Sequence, residues 1–403
     1  MAVKSLTIAI AGAGPAGLAA ALYLKRAGHS VTLFERFSAA QPLGSGLILQ
    51  PTGLAVLADL GLESEITRLG ARIDRLAGHD SASGRVVLDV RYDALKGSGA
   101  GLAVHRAALF SVLHDAVQAE NIPLETGFEV AGLHQSADGV ALMKASGGTS
   151  ARFDLTIDAS GSRSLLKAYA GAKAQRPLAY GAFWATLDWH DQGFDRNALL
   201  QRYSRASIMA GVMPIGRPQA NSGEKAAFFW SLKPAQAAAV KAAGLDAWKQ
   251  AVLDHWPETT PLLSQIASFD DLTLASYSHH TLSTPAGRRL AVIGDAAHST
   301  SPQLGQGANM ALLDARALSH ALDISPDLET ALSAYCAMRR GHVRLFQALS
   351  AMFTPFYQSD SRVFPFVRDR LVAPLSRVPP VPGFLAKMVS GTLGNPLGKI
   401  GLA

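Results

Sequence analysis

Three observations predict an α/β chain carrying an inserted sheet. A short apolar strand passes through the turn Gly12-Ala13-Gly14-Pro15-Ala16-Gly17 into a leucine- and alanine-rich segment. A second apolar strand, Arg289 to Ile293, opens another glycine-rich loop that leads into helical sequence. Between them, residues 170–285 change character, with short aromatic runs separated by alanine-rich pieces. Strands alternating with helices imply a parallel sheet covered by helices, and the aromatic stretch implies a separate sheet-based module.

Composition bounds the rest. The chain has 403 residues, and at roughly 100–200 residues per domain it has room for two or three. It is 48% apolar and 17% charged, which excludes intrinsic disorder. A single cysteine, Cys336, excludes an internal disulfide framework and a multi-cysteine zinc site. The net charge of +6 is uneven: from Arg339 onward there are nine basic and two acidic residues, so the body is near neutral and the tail basic. That distribution excludes the basic stripe of a nucleic-acid binder, while the tail could brush a membrane surface. Ser5 to Leu24 carries no charge and matches a membrane span in length, but the glycines and the proline inside it fit a turn better. A cytoplasmic protein, monomeric or homodimeric, is the expectation.

Taken in order, Leu6 to Ile10 reads as a buried strand. Leu18 to Ala27 favours helix, and Gly28 is placed to end it. Ser30 to Phe34 is a second strand. Residues 50–70 and 106–120 read as helical; 80–93 and 123–160 alternate and read as β-hairpins. Gly181 to Leu187 and Ala227 to Leu232 read as strands, Pro234 to Ala243 and Asp246 to Trp256 as helices. The chain from Val378 onward, rich in Pro and Gly, reads as irregular or partly helical.

The first glycine motif has a physical logic. Gly12 permits a tight turn, Gly14 lets backbone approach a pyrophosphate, and Gly17 lets the helix pack closely on the strand. The helix N-terminus then offers unpaired N–H groups to phosphate. Glu35, at the end of the second strand, can bind the hydroxyls of an adenosine ribose. This is a Rossmann-like arrangement, and alone it does not separate NAD from FAD. The second motif runs Gly294-Asp295-Ala-Ala-His298, then Pro302, Gly305, Gly307-Ala308-Asn309 and Asp314. It lacks the lysine of an ATP-binding P-loop. Asp295 can bind a polyol, and the loop from Gly305 to Asn309 can offer N–H groups to another part of the same ligand. Two such turns suggest one long cofactor gripped at both ends, and FAD is the candidate.

On these motifs the sequence resembles the flavin-dependent aromatic hydroxylases, the p-hydroxybenzoate hydroxylase-like monooxygenases, over residues 5–350. The resemblance implies that Gly12, Ala13, Gly14, Pro15, Ala16 and Gly17 line the pyrophosphate, that Glu35 holds the ribose, and that Arg36 lies beside the adenine. It implies that Gly44-Ser45-Gly46-Leu47 covers the flavin ring, that Arg106 lies near the phosphates, and that Asp295 binds the ribityl chain. Gly305, Gly307, Ala308 and Asn309 would meet the isoalloxazine ring and phosphate side, and Pro302 would face the substrate. Where the family usually reads Gly-Ala-Asp-Gly, this chain reads Asp158-Ala-Ser160-Gly161, a departure in a segment tied to both cofactors.

The resemblance further implies a Rossmann-like FAD-binding domain (residues 1–169 and 286–350, with hairpin insertions around 70–105). A substrate-binding sheet domain (170–285) and a basic helical or irregular tail (351–403) complete the expected layout. NADH or NADPH would reduce the flavin transiently, and O2 would add to give a C4a-hydroperoxide that hydroxylates a small aromatic molecule. No metal is implied. His298 is read as structural. The neighbours His279 and His280 point to opposite strand faces. Tyr203 and Arg205 are candidates for steering a phenolate, and Phe183, Trp184, Phe229 and Trp230 are read first as core. A halogenase or reductase on the same fold stays open, although the Trp-x-Trp-x-Ile-Pro signature of a halogenase is absent, as does a non-catalytic flavin binder.

Overall fold

The computed structural model describes residues 3–39, 44–95, 97, 99–173, 175–191 and 193–402. Its first sheet has six strands in the order Ala286–Gly287, Leu290–Val292, Leu155–Asp158, Thr7–Ala11, Ser30–Phe34 and Leu124–Glu125. Only the pair at the Ala286–Gly287 edge is antiparallel. Ile8, Ala9, Ile10 and Ala11 are fully buried in succession, as expected for a central parallel strand covered on both faces. The helices Pro15–Arg26 and Gly307–Ile324 supply one cover. The uncharged stretch from Ser5 is thus a core strand and its following helix. Among the described residues no helix is long and apolar enough to cross a membrane.

Part of the hairpin reading of 123–160 is corrected. Val130–Gln135 and Val140–Lys144 form a hairpin, but Leu124–Glu125 and Leu155–Asp158 pair parallel with strands of the main sheet. A short apolar run between turn residues looks the same in either setting.

The second sheet has seven strands in the order Thr273–Ala275, Gly181–Asp188, Lys225–Leu232, Ile208–Pro214, Ala198–Ser204, Arg75–Asp80 and Val86–Arg91. Strand alternation gives it two faces. Phe183, Ala185, Phe228 and Trp230 point outward and pack with Trp248, Val252 and Trp256. Trp184, Phe229, Met209 and Tyr203 point the other way. Residues 75–91, expected as an insertion of the first domain, complete this sheet, because Arg75–Asp80 runs parallel beside Ala198–Ser204. A small sheet of Gly46–Leu49, Gly101–His105 and Ala71–Ile73 lies between the two large ones.

The helix Leu328–Tyr357 runs through the boundary expected at 350. It begins at Asp327, whose carboxylate accepts the Thr330 N–H at 2.8 Å. Beyond it the chain is more helical than its proline content suggests, with Val363–Val367, Arg368–Val372, Ala373–Leu375, Val381–Ser390 and Pro396–Lys399 all helical. Prolines sit in the first turn of three of these pieces, where the missing N–H costs nothing.

Candidate functional site

The glycine turn divides its three glycines by what surrounds them. Gly12 has φ +105°, and a Cβ there would lie 2.6 Å from the Ala159 carbonyl. A Cβ on Gly17 would strike the Gly12 carbonyl at 2.0 Å. A Cβ on Gly14 would meet no protein atom within 4 Å. The first two glycines are therefore required by packing, whereas Gly14 keeps bare backbone facing open space. The helix that follows begins at Pro15, has no side-chain cap and carries no acid in its first turn, so its N-terminal dipole is left for an anion. Glu35 reaches back to this turn: its carboxylate accepts the Ala13 N–H at 2.9 Å and the Phe37 N–H at 3.2 Å. Arg36 is exposed next to it, with its guanidinium 4.6 Å from the Phe37 ring centre.

The second glycine loop meets the first. A Cβ on Gly294 would come within 3.2 Å of the Ala16 Cβ. Asp295 is the one exposed residue in a buried run from Leu290 to Ser299, and Gly307 lies beside its carboxylate. The helix Gly307–Ile324, like the first, starts without a side-chain cap or an acid in its first turn. Ala308 is half-buried in that first turn. Asn309 is fully buried, and its amide is used up inside the protein. Oδ1 accepts the Gln50 N–H at 2.8 Å, while Nδ2 donates to Ile48 O at 3.1 Å and Gly305 O at 2.9 Å. It therefore positions the loop, and both N–H bonds of its side chain are spent on backbone carbonyls. Pro302 is exposed at the start of the short helical turn Pro302–Leu304, which ends at Gly305 with φ +60°.

The loop Gly44-Ser45-Gly46-Leu47 links the two bodies. A Cβ on Gly44 would press on Arg106 Cδ at 3.0 Å, and Arg106 N–H donates to Ser45 O at 2.8 Å. Ser45 Oγ lies 2.7 Å from Thr186 Oγ1, and a Cβ on Gly46 would collide with Ile215 on the seven-stranded sheet. Arg106 is exposed and makes no ion pair among the described residues. The two glycine turns, the 44–47 loop and Arg106 thus adjoin one another, through Gly294 and Ala16, Asn309 and Ile48, and Gly44 and Arg106, and delimit a candidate cleft beside the large sheet.

That inner face is where sequence reading had the least to offer. The Trp184 Nε1–H donates to Tyr277 Oη at 2.7 Å, and its ring lies 4.8 Å from that of Phe229. Phe229 leans over Gly211 and Tyr203 over Gly78, at both of which a Cβ would collide with the ring. Tyr203 is buried and donates to Gln201 Oε1 at 3.0 Å; burial pushes its hydroxyl far above the usual range. It is therefore a neutral wall residue, and Arg205 sits exposed at the tip of a turn. Neither acts as a charged group inside the cleft. Gln201 and Tyr277 were not singled out from the sequence, although period-two alternation beside Tyr203 could have flagged Gln201.

Two buried acids frame the cleft. Asp158 ends a core strand, and its carboxylate accepts from Ser160 N (3.1 Å), Ser160 Oγ (2.6 Å) and Ser164 Oγ (2.5 Å). Burial raises it above the ordinary carboxylate range against the pull of these hydrogen bonds. The unusual Asp-Ala-Ser-Gly segment is thus a self-contained knot in which serine serves the buried acid. Asp314 accepts from Gly294 N (2.8 Å), His298 Nε2 (2.6 Å) and Arg339 Nε (2.6 Å). Burial would raise Asp314, but His298 and Arg339 together outweigh it and hold the carboxyl at about 2. His298 therefore anchors the second glycine loop. His280 is buried with its Nε2 2.7 Å from Ala296 O, and His279 is half-buried on the opposite strand face. Cys336 is buried, and burial pushes its thiol up to about 11.

These residues fit FAD. Gly14 leaves backbone bare toward open space, two helix N-termini lie at one cleft without caps, and an unpaired arginine and two carboxylates are set where a dinucleotide has phosphates and polyols.

Comparison with known proteins agrees. The family described as FAD binding domain matches residues 5–343. The chain is similar to the aurachin C monooxygenase/isomerase of Stigmatella aurantiaca, at 25% identity over 92% of this chain and 94% of that protein. It is similar to an FAD-dependent urate hydroxylase of Klebsiella pneumoniae, at 28% identity over 83% and 86%. The fold superposes on the crystal structure of Klebsiella pneumoniae HpxO complexed with FAD and uric acid, with a TM-score of 0.79, 22% identity and coverage of 96% and 98%. The cleft and the match over most of its length lead to one conclusion: the chain belongs to the FAD-binding family, among its FAD-dependent aromatic hydroxylases, and is an FAD-dependent oxidoreductase.

Proposed function

We propose that the protein is a monooxygenase that consumes NADH or NADPH and O2 to hydroxylate an aromatic or heterocyclic small molecule. The observation that carries this reading is the junction at residues 44–47, which joins Arg106 to the aromatic-bearing sheet through Ser45 and Thr186. Bound FAD would supply two-electron reduction and O2 activation. The chain's own residues do the rest. Gly12 to Gly17, Glu35 and Arg36 would hold the adenosine and pyrophosphate part; Arg106, Asp295 and the bare N-terminus at Gly307 and Ala308 would hold the remainder. Gly44 to Leu47 would close over the ring, and the Pro302 segment would border the substrate. Trp184, Phe229, Met209, Gln201, Tyr203 and Tyr277 would form a largely aromatic wall that excludes water. The Tyr277 hydroxyl, which accepts from Trp184, would offer a polar contact at that wall, with Arg106 close enough to act on it. The named relatives include a urate hydroxylase and an aurachin monooxygenase, and ring heterocycles of that kind suit this wall.

The test is consumption of NADH and NADPH by the FAD-loaded protein against phenols, quinolones and purines. A substrate should stimulate consumption and gain one oxygen atom from labelled O2. Stimulated NAD(P)H consumption with no labelled oxygen in any product would reject the monooxygenase and favour a reductase.

A further inference from the structure

A surface helix ordinarily buries its apolar stripe and turns its polar side to water. Residues 363–375, helical throughout, reverse this. Pro365, Arg368 and Ala373 are the buried positions, while Val363, Phe364, Phe366, Leu371 and Leu375 are exposed and Val378 follows them. The reversal has a cause. The Arg368 guanidinium lies 5.1 Å from the Tyr203 ring and 5.4 Å from the Tyr357 ring, and it donates to Phe356 O and Asp369. Drawing this arginine inward sends the apolar side out. Of the fourteen large apolar side chains exposed among the described residues, eight lie between Met352 and Phe384. Such a concentration marks an interaction surface.

Charge identifies the partner. Arg362, Arg370, Arg377 and Lys387 are exposed along this patch, and none has an ion-pair partner among the described residues. Of the acids nearby, Asp360 is held by Tyr180 and Lys233, Asp369 by Arg368 and Asp89 by Arg75, while Asp93, on the turn Tyr92–Ala94 packed against Val381–Ser390, is exposed without an ion pair among the described residues. The four unpaired cations outnumber this one acid, so the outward field of the patch is positive. Exposed Phe, Leu and Val flanked by unpaired cations is the make-up of a helix that lies in the plane of an anionic bilayer surface. A second copy is a poorer fit, because a two-fold contact would set these cations against themselves. We propose that residues 362–387 dock the protein on anionic lipid, with the apolar side chains at the headgroup boundary and the four cations against lipid phosphates. This stands independently of the reaction assigned above.

The test is co-sedimentation of the FAD-loaded full chain with vesicles of phosphatidylcholine plus phosphatidylglycerol, and of phosphatidylcholine alone. The protein should sediment with the anionic vesicles, and high salt should release it. Phe366→Asp with Leu371→Asp should weaken binding at least tenfold, and Arg370→Gln with Arg377→Gln roughly tenfold or more. All four side chains are exposed, and retained FAD and an unchanged melting temperature verify folding. Wild-type protein that stays in solution with anionic vesicles overturns the proposal. So does sedimentation that neither double variant alters. A wild-type dimer that Phe366→Asp with Leu371→Asp splits, without vesicle binding, gives the face to a second copy and overturns it too.

Discussion

Gly14 and Gly17 lie three residues apart and should fail differently. Gly17→Ala drives a Cβ into the Gly12 carbonyl at 2.0 Å, so it should lower the melting temperature sharply or prevent folding. Gly14→Val meets no protein atom within 4 Å of its new Cβ; the protein should fold with a near-normal melting temperature and lose FAD. Thermal denaturation beside the flavin absorbance of purified protein separates the two outcomes. Glu35→Ala and Asp295→Ala remove carboxylates that face the same cleft. Hydrogen bonds to charged groups contribute about 1.5–3 kcal/mol, so each should weaken FAD binding roughly ten- to a hundredfold in titration of apoprotein. A double variant that purifies yellow and fully loaded would refute the assignment.

At the scale of elements, one buried network ties three segments. Arg339 and His342 on the helix Leu328–Tyr357 reach Asp314 on the helix Gly307–Ile324 and Gly391 at the end of Val381–Ser390. Arg339→Met leaves Asp314 buried without its guanidinium partner and should cost ~3–5 kcal/mol in denaturant unfolding. His342 Nε2 is 3.0 Å from Gly391 O and its Nδ1 3.4 Å from Arg339. Burial first, and then the Arg339 charge, lower it from 6.5 to about 3. Between those values the unfolded chain holds a proton that the folded one does not. Stability therefore falls as pH drops through 6.5 and continues falling toward 3. Asp314 acts in the same direction only lower down, its contribution being lost as pH falls from the ordinary carboxylate range through about 2. His342→Gln should be less stable at neutral pH, yet lose less melting temperature than wild type between about pH 7 and about pH 5.

For the whole molecule, on the proposed reading FAD belongs to the first sheet and substrate to the second, so their failures should separate. Gly211→Val forces the Phe229 ring off the inner face, where a Cβ would come within 2.1 Å of it. This variant should bind FAD normally while losing stimulation of NAD(P)H consumption by a substrate that activates wild type, whereas Glu35→Ala should lose FAD first. Equal loss of FAD in both would reject this separation. Ser45 is bonded to Thr186 across the junction of the two bodies.

Local order was legible in the chain. The strand Thr7–Ala11, the turn to Gly17, the helix after it and the strand ending beside Glu35 follow from glycine geometry and apolar runs within about thirty residues. The motif from Gly294 to Asp314 likewise foretold a turn and helix start, which the structure sets against the first turn at Ala16. Residue spacing could not show that the Asn309 amide bonds three backbone groups inside the protein, that Asp158 is knotted by its own serines, or that Arg205 points to solvent. Nor could it show that residues 75–91 leave the first domain to join strands more than a hundred positions away, since alternation fixes which side a residue faces and not its neighbour. The tail shows the limit most clearly. Its basic charge is plain in the sequence, but which side of the 363–375 helix meets water depends on Arg368 entering between Tyr203 and Tyr357. That contact joins parts of the chain far apart in sequence, and only tertiary packing decides it.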